Sequence, residues 1–100
     1  MRLTPQQQTV IKSVLKRHFG DASAIRLFGS RVDDAAKGGD IDLYIEPEIQ
    51  EPDRLVDAKL KALVELRREL GDQKIDLVIR RREAPALPIY RVARETGTPL

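Results

Sequence analysis

The chain has 100 residues, with 18 Lys and Arg against 16 Asp and Glu, four aromatic residues and no cysteine. That length suits one domain spanning 1–100 and is short for two, and a chain of this size buries roughly two-thirds of its unfolded surface without disulfides or structural metals. The lack of Cys excludes disulfide scaffolds and thiolate zinc sites. A net charge of +2 says little about nucleic acid, since aromatics are few and the one basic cluster is Arg80-Arg81-Arg82, whose alternative to a solvated run is contact with a partner's acids or an RNA backbone.

The first predicted element is a helix with a marked start. Thr4 suits the N-cap, Pro5 the first helical position, and Gln7 the reciprocal place in a capping box. Val10, Ile11, Val14, Leu15 and Phe19 recur at helical spacing, and Gly20 stops the run. Ile25–Phe28 reads as a strand, closed by Gly29. Residues 29–39 are polar and glycine-rich and form a loop, with room for a helical turn after Ser30. Asp40–Ile45 alternates with period two, setting Ile41, Leu43 and Ile45 on one face and Asp40, Asp42 and Tyr44 on the other. A second long helix is expected over 53–70, with Asp53 as N-cap and a buried face of Val56, Leu60, Leu63, Val64 and Leu70. Lys74–Ile79 is the third strand, and Asp76 stands on the face opposite Ile75 and Leu77. A last helix starts near Pro88 and runs through Ile89, Val92 and Ala93 to Gly97.

This order predicts an α/β (α+β) domain with a small mixed sheet of about three strands flanked by helices. The helix between the second and third strands implies a parallel pair with a right-handed crossover. The loop between the first two allows them to run antiparallel. No apolar run approaches the ~20 residues needed to cross a bilayer, and Met1–Gln7 lacks the apolar core of a secretory signal. The expectation is a soluble, cytoplasmic protein with no membrane contact.

Asp40 and Asp42 are the informative pair. Two residues apart on a strand, they project to the same side with Cα atoms roughly 6.6 Å apart. Asp is depleted in strands, and departures from local preference tend to mark functional sites. Asp76 repeats the anomaly inside an apolar strand. If the second and third strands are neighbours, three carboxylates meet on one face and repel unless cations join them. A pair of Mg²⁺ ions roughly 3.5–4 Å apart would resolve the repulsion and supply a phosphoryl- or nucleotidyl-transfer site. Gly29 lets the backbone approach a phosphate, Ser30 offers a hydroxyl and an N–H, and Arg31 adds positive charge. The bland alternatives are a solvated strand face for the aspartates and an ion pair of Asp76 with Lys74 or Arg80. His18 reads as a surface helix residue, Arg80–Arg82 as a solvated charge run, and Tyr44 as sheet packing.

Gly29-Ser30-Arg31, Gly39-Asp40-Ile41-Asp42-Leu43 and Lys74-Ile75-Asp76-Leu77 together resemble the minimal nucleotidyltransferase branch of the DNA polymerase beta superfamily. The resemblance spans most of the chain, and the ending Ile89–Gly97 is similar to the terminal helix of such proteins. It implies two Mg²⁺ ions on Asp40 and Asp42, Asp76 as the third carboxylate at the acceptor hydroxyl, and Gly29-Ser30 as the triphosphate cradle. ATP is the implied donor, with adenylyl transfer and loss of pyrophosphate. The loop departs from the common Gly-Ser-x-Ala-Arg-Gly pattern, reading Val32-Asp33-Asp34 after Arg31, and Gly39 stands where Ser often precedes the first Asp.

Larger members of that superfamily carry a further domain for the acceptor, for which this chain has no room. The minimal branch resembles the antitoxin half of pairs whose other half is a small helical protein of the HEPN type. Adenylylation of a hydroxyl on such a partner is therefore the expected function, with partner contacts around Tyr90 and Arg91 of the last helix. Two alternatives stand beside it: a non-catalytic module that neutralises its partner by occlusion, and a catalytic subunit acting on a small molecule or an RNA end.

Overall fold

The computed structural model describes residues 4–28, 41–71, 74–82 and 87–100. Among the described residues three helices and four strands follow in the order α1 (Pro5–Phe19), β1 (Ala24–Phe28), β2 (Ile41–Glu46), α2 (Pro52–Leu70), β3 (Ile75–Ile79), α3 (Pro88–Thr96) and β4 (Thr98–Pro99). The fold is α+β, and its sheet is mixed, in the order β3-β2-β1-β4. β2 runs parallel to β3, as the connecting helix implies, and antiparallel to β1, which the segment between them allows.

The capping box of α1 forms as expected. Thr4 Oγ1 accepts from the Gln7 N–H at 3.1 Å, and the Gln7 side chain accepts from the Thr4 N–H at 2.9 Å. Two of the orphan donors at the helix start are thereby satisfied. At the other end Gly20 adopts φ +109°, where a side chain is strained, and a Cβ there would meet Glu48 Cβ at 2.6 Å. The turn that follows is tied by Ser23. Its buried hydroxyl donates to Phe19 O at 3.1 Å and accepts from the Glu48 N–H at 3.0 Å.

The alternation of the strands divides the sheet into two faces. One face carries Ile25, Leu27, Ile41, Leu43, Ile45, Ile75 and Leu77. It packs against Ile11, Val14, Leu15 and Phe19 of α1 and Leu55, Ala58, Ala62 and Leu66 of α2. The other face lies under α3, where Phe28, Tyr44, Tyr90 and Ala93 form a second, smaller cluster.

Three details differ from the sequence-based expectation. The two-residue strand β4 pairs Thr98 with Leu27 and Pro99 with Arg26, extending the sheet beyond three strands. It follows Gly97, where a Cβ would lie 2.3 Å from Ala93 O, so only glycine fits the handover from α3. The start of α2 is capped at Glu51 without a side-chain hydrogen bond, and Pro52 takes the first helical position. Asp53 sits inside the first turn, where its charge still favours the helix dipole.

The third difference concerns the buried face of α2. Val56, Leu60 and Val64 are 62%, 62% and 56% exposed, while Leu63 and Leu70 are only partly buried against the core. The buried positions are Leu55, Ala58, Ala62 and Leu66. They recur at spacings of three and four, and alanine at two of them lets the helix lie close to its neighbours. The bulkier aliphatic residues form a second stripe, turned to the outside.

No helix among the described residues is long and apolar enough to cross a membrane. The Cα radius of gyration is 12.8 Å, close to the ~13 Å of a compact chain of about 100 residues.

Candidate functional site

On the α3 face the strand registers set out rows of side chains. The first row is Phe28, Asp42 and Asp76, since Asp42 is the partner of Phe28 on β1 and of Asp76 on β3. The second is Arg26, Tyr44 and Val78. Neighbouring strands lie about 4.8 Å apart, and register partners on parallel strands project to the same side. Asp42 and Asp76 are therefore adjacent carboxylates on one face, each flanked along its own strand by core residues of the other. Asp42 is half-buried and Asp76 exposed.

The two aspartates line one open cavity of about 680 Å³ at the β3 edge of the sheet. Phe28 and Val78 contribute from the strands, Lys59 and Leu63 from α2, and Ile89 from α3. Lys59 is a member of this site that the sequence reading did not identify. It stands four residues from both Leu55 and Leu63, so its place on the flank facing β3 follows once the buried face of α2 is set correctly. Its ammonium brings positive charge to a cavity that otherwise carries two carboxylates. Asp76 makes no ion pair with Lys74 or Arg80, nor with any other described residue.

Asp40, Gly29, Ser30 and Arg31 lie outside the described residues, as do Val32, Asp33, Asp34 and Gly39. Of the expected metal set, the described residues thus contribute Asp42 and Asp76. Hard carboxylate oxygens on adjacent strands, opening on a shared cavity, are the donor chemistry that Mg²⁺ takes, usually through one or two carboxylates with water and phosphate completing the shell. The residues present fit such an ion. Among the described residues no group of three or more His, Cys, Asp or Glu side chains converges.

Further along the same face the chemistry becomes aromatic and basic. Tyr44 is fully buried, and its hydroxyl donates to Glu46 Oε2 at 2.7 Å. Burial, then that bond, push the phenol above its ordinary pKa of 10.0. Its ring meets that of Tyr90 at 6.3 Å, and the Arg80 guanidinium lies 5.6 Å from the Tyr90 ring. Tyr44 therefore packs the sheet, as expected. Arg80 is half-buried and stacked rather than a free member of a solvated run, whereas Arg82 is exposed. Tyr90 is only 9% exposed, so it is unavailable to a partner, while Arg91 is exposed and bonded to Glu95 at 2.9 Å. Arg26, Arg80, Arg91 and Arg94 line a hollow of about 500 Å³ beside α3.

On the opposite side of the molecule His18 is half-buried rather than a plain surface residue. It bonds Glu65 of α2 at 2.9 Å, and Arg17 pairs with the same carboxylate. These contacts, that of His18 first, hold the Glu65 carboxyl below its ordinary value of 4.5.

No protein family and no curated protein matches this sequence, so the site has to be read from its own residues.

Proposed function

We propose that this chain is a Mg²⁺-dependent nucleotidyltransferase that moves AMP from ATP to a hydroxyl on a helical partner protein. The observation that carries the reading is the register pairing of Asp42 with Asp76 at a shared cavity. In this reading Asp40 and Asp42 hold the metal ions, and Gly29, Ser30 and Arg31 hold the triphosphate. Two bound Mg²⁺ ions would neutralise the phosphate charge and orient the attacking and leaving oxygens. Asp76, the more exposed carboxylate, accepts the hydrogen bond of the acceptor hydroxyl and orients it toward the α-phosphate. Lys59 offers an ammonium to phosphate oxygens from the α2 side of the cavity. Phe28, Val78 and Ile89 exclude water along the cavity wall, which strengthens each electrostatic contact within it.

In this reading the donor's phosphates occupy the cavity and the acceptor approaches from outside it. Ile89, on the cavity wall, and Val92, one turn further along α3, are apolar and exposed, 40% and 48% accessible. A helical partner laid on them brings a hydroxyl to Asp76. The acids Asp33 and Asp34 in the loop after Ser30 favour a second reading, in which the fold binds and occludes the partner without transfer. The arginine-lined hollow beside α3 favours an RNA end as the alternative acceptor.

The test is mass spectrometry of the co-expressed partner for an added adenylyl group, with Asp42→Asn and Asp76→Asn as variants. Each variant is expected to lower transfer by at least about 100-fold, the upper end of the cost of losing even an outer ligand contact. Near wild-type transfer in either variant, or full activity in EDTA, would refute the assignment. A partner bound tightly but unmodified would select the occlusion reading.

A further inference from the structure

The outer stripe of α2 has no use in the fold described so far. Val56, Leu60 and Val64 stand four residues apart, so they form one line about 12 Å long down the exposed side of the helix. At 100° per residue, Asp53 and Arg67 fall on the same narrow arc, one beyond each end of the line. The sequence of this surface, read from Asp53 to Arg67, is therefore acid, three aliphatics, base.

We propose that a second copy of this chain covers the stripe, the two α2 helices packing antiparallel about a two-fold axis at Leu60. In that arrangement each residue faces the one equally far on the other side of Leu60. Leu60 meets Leu60, Val56 meets Val64, and Asp53 meets Arg67. An interface between identical copies must be self-complementary in this way, and this stripe is so in both shape and charge.

The charges argue for a second copy rather than any apolar cover. Asp57 is engaged by Lys61 at 3.0 Å within the helix, and Glu51 by Arg54 at 3.5 Å. Among the described residues Asp53, Arg67 and Arg68 have no ion-pair partner. Antiparallel pairing supplies an opposite charge to each end, twice per dimer, and opposes the two helix dipoles favourably. Parallel pairing would set Asp53 against Asp53 and Arg67 against Arg67.

Hollows flank the stripe on both sides. One of about 360 Å³ lies against Leu60, Val64 and His18, and one of about 240 Å³ against Leu55, Val56 and Ile79. They provide space for the partner's aliphatic side chains to interdigitate. One helix face buries less than the ~800 Å² per partner of a standard interface, so the dimer is reversible and dilutes apart. The exposed edge of α3 lies away from it, whereas Lys59 lines both the smaller flanking hollow and the aspartate cavity. Association is therefore measured without nucleotide, so that its failure and the failure of nucleotidyl transfer are separate results.

The experiment uses the full chain, which has no native cysteine. Sedimentation velocity over a concentration series should show the weight-average mass rising from 11.3 kDa toward twice that value. Leu60→Asp, at an exposed position, should hold the chain monomeric throughout with an unchanged circular dichroism spectrum. Asp53→Arg and Arg67→Asp should each weaken association roughly tenfold, and the two combined should recover most of the loss. Leu60→Cys under mild oxidation should cross-link to itself, because facing Cα atoms at a two-fold axis lie within disulfide reach. A wild-type chain monomeric at every concentration overturns the proposal, as does a dimer unaffected by Leu60→Asp or a charge swap that recovers nothing. A chain monomeric alone, whose capture of a helical partner is abolished by Leu60→Asp, assigns the stripe to that partner and overturns it equally.

Discussion

On the side of the sheet covered by α1 and α2, the residues of β1, β2 and β3 are aliphatic and the packing extends over two helices. On the side under α3, the same strands present Phe28, Asp42 and Asp76 in one row and Arg26, Tyr44 and Val78 in the next. A short helix covers part of this side and leaves the β3 edge open to the cavity. The difference shows how a chain of this length separates two demands. Stability is concentrated on one face, so the other can carry like charges side by side that would be costly within a core.

The largest expected effect probes the aliphatic face. Phe19, the last residue of α1, is fully buried, and Phe19→Ala should cost about 3–5 kcal/mol. A thermal melt reads it directly, since each kcal/mol moves the midpoint of a small domain by roughly 4–8 °C. Asp42→Asn should do the reverse of Phe19→Ala: transfer falls, while the ligand-free melt stays level or rises slightly as repulsion with Asp76 is removed. If the proposed function holds, wild type with Mg²⁺ and a non-hydrolysable ATP analogue at 100 times its dissociation constant should gain about 2.7 kcal/mol, and the variant much less. A ligand-free loss like that of Phe19→Ala would show that the two faces are not separate in function.

Smaller effects separate the faces by pH. Tyr44→Phe removes the bond to Glu46 and should cost about 0.5–1.5 kcal/mol at neutral pH. The folded state raises this phenol's pKa, so the native state favours the protonated form. The contribution is fully present below the ordinary value of 10.0 and is lost as pH rises through the folded value. Paired denaturant titrations of wild type and variant should converge at the alkaline end. Glu65 bridges α1 and α2 on the other face, with its pKa lowered. Its contribution is present above the ordinary 4.5 and lost as pH falls through the folded value. Glu65→Gln should therefore differ from wild type near neutrality and converge with it in acid, by the smallest margin of the series.

Much of this arrangement is legible in the residues. Thr4, Pro5 and Gln7 mark a helix start because each satisfies a specific backbone requirement there, and the alternation from Ile41 to Ile45 assigns each side chain to its face. Asp76 could be set beside Asp42 because a helical crossover makes the two strands parallel. β4 was not legible: two residues give no period, and Thr98-Pro99 after Gly97 reads as an ending. The buried face of α2 is ambiguous in the sequence because the helix carries two apolar stripes. Size points to Val56, Leu60 and Val64, whereas close packing selects Leu55, Ala58, Ala62 and Leu66. The same ambiguity hides Lys59, since its side of the helix depends on which stripe faces inward.

Among the described residues β2 has a hydrogen-bonded neighbour on each side, while β3 has one only on its inner side. A strand enclosed in this way exposes its amides only when the sheet opens as a whole, whereas an edge strand opens locally at lower free energy. Asp42 rides on the enclosed strand and Asp76 on the edge. Local opening at this edge would separate Asp76 from Asp42 before the sheet itself opens, so the pairing of the carboxylates is expected to last only as long as the edge strand stays attached, read as faster amide exchange in β3 than in β2.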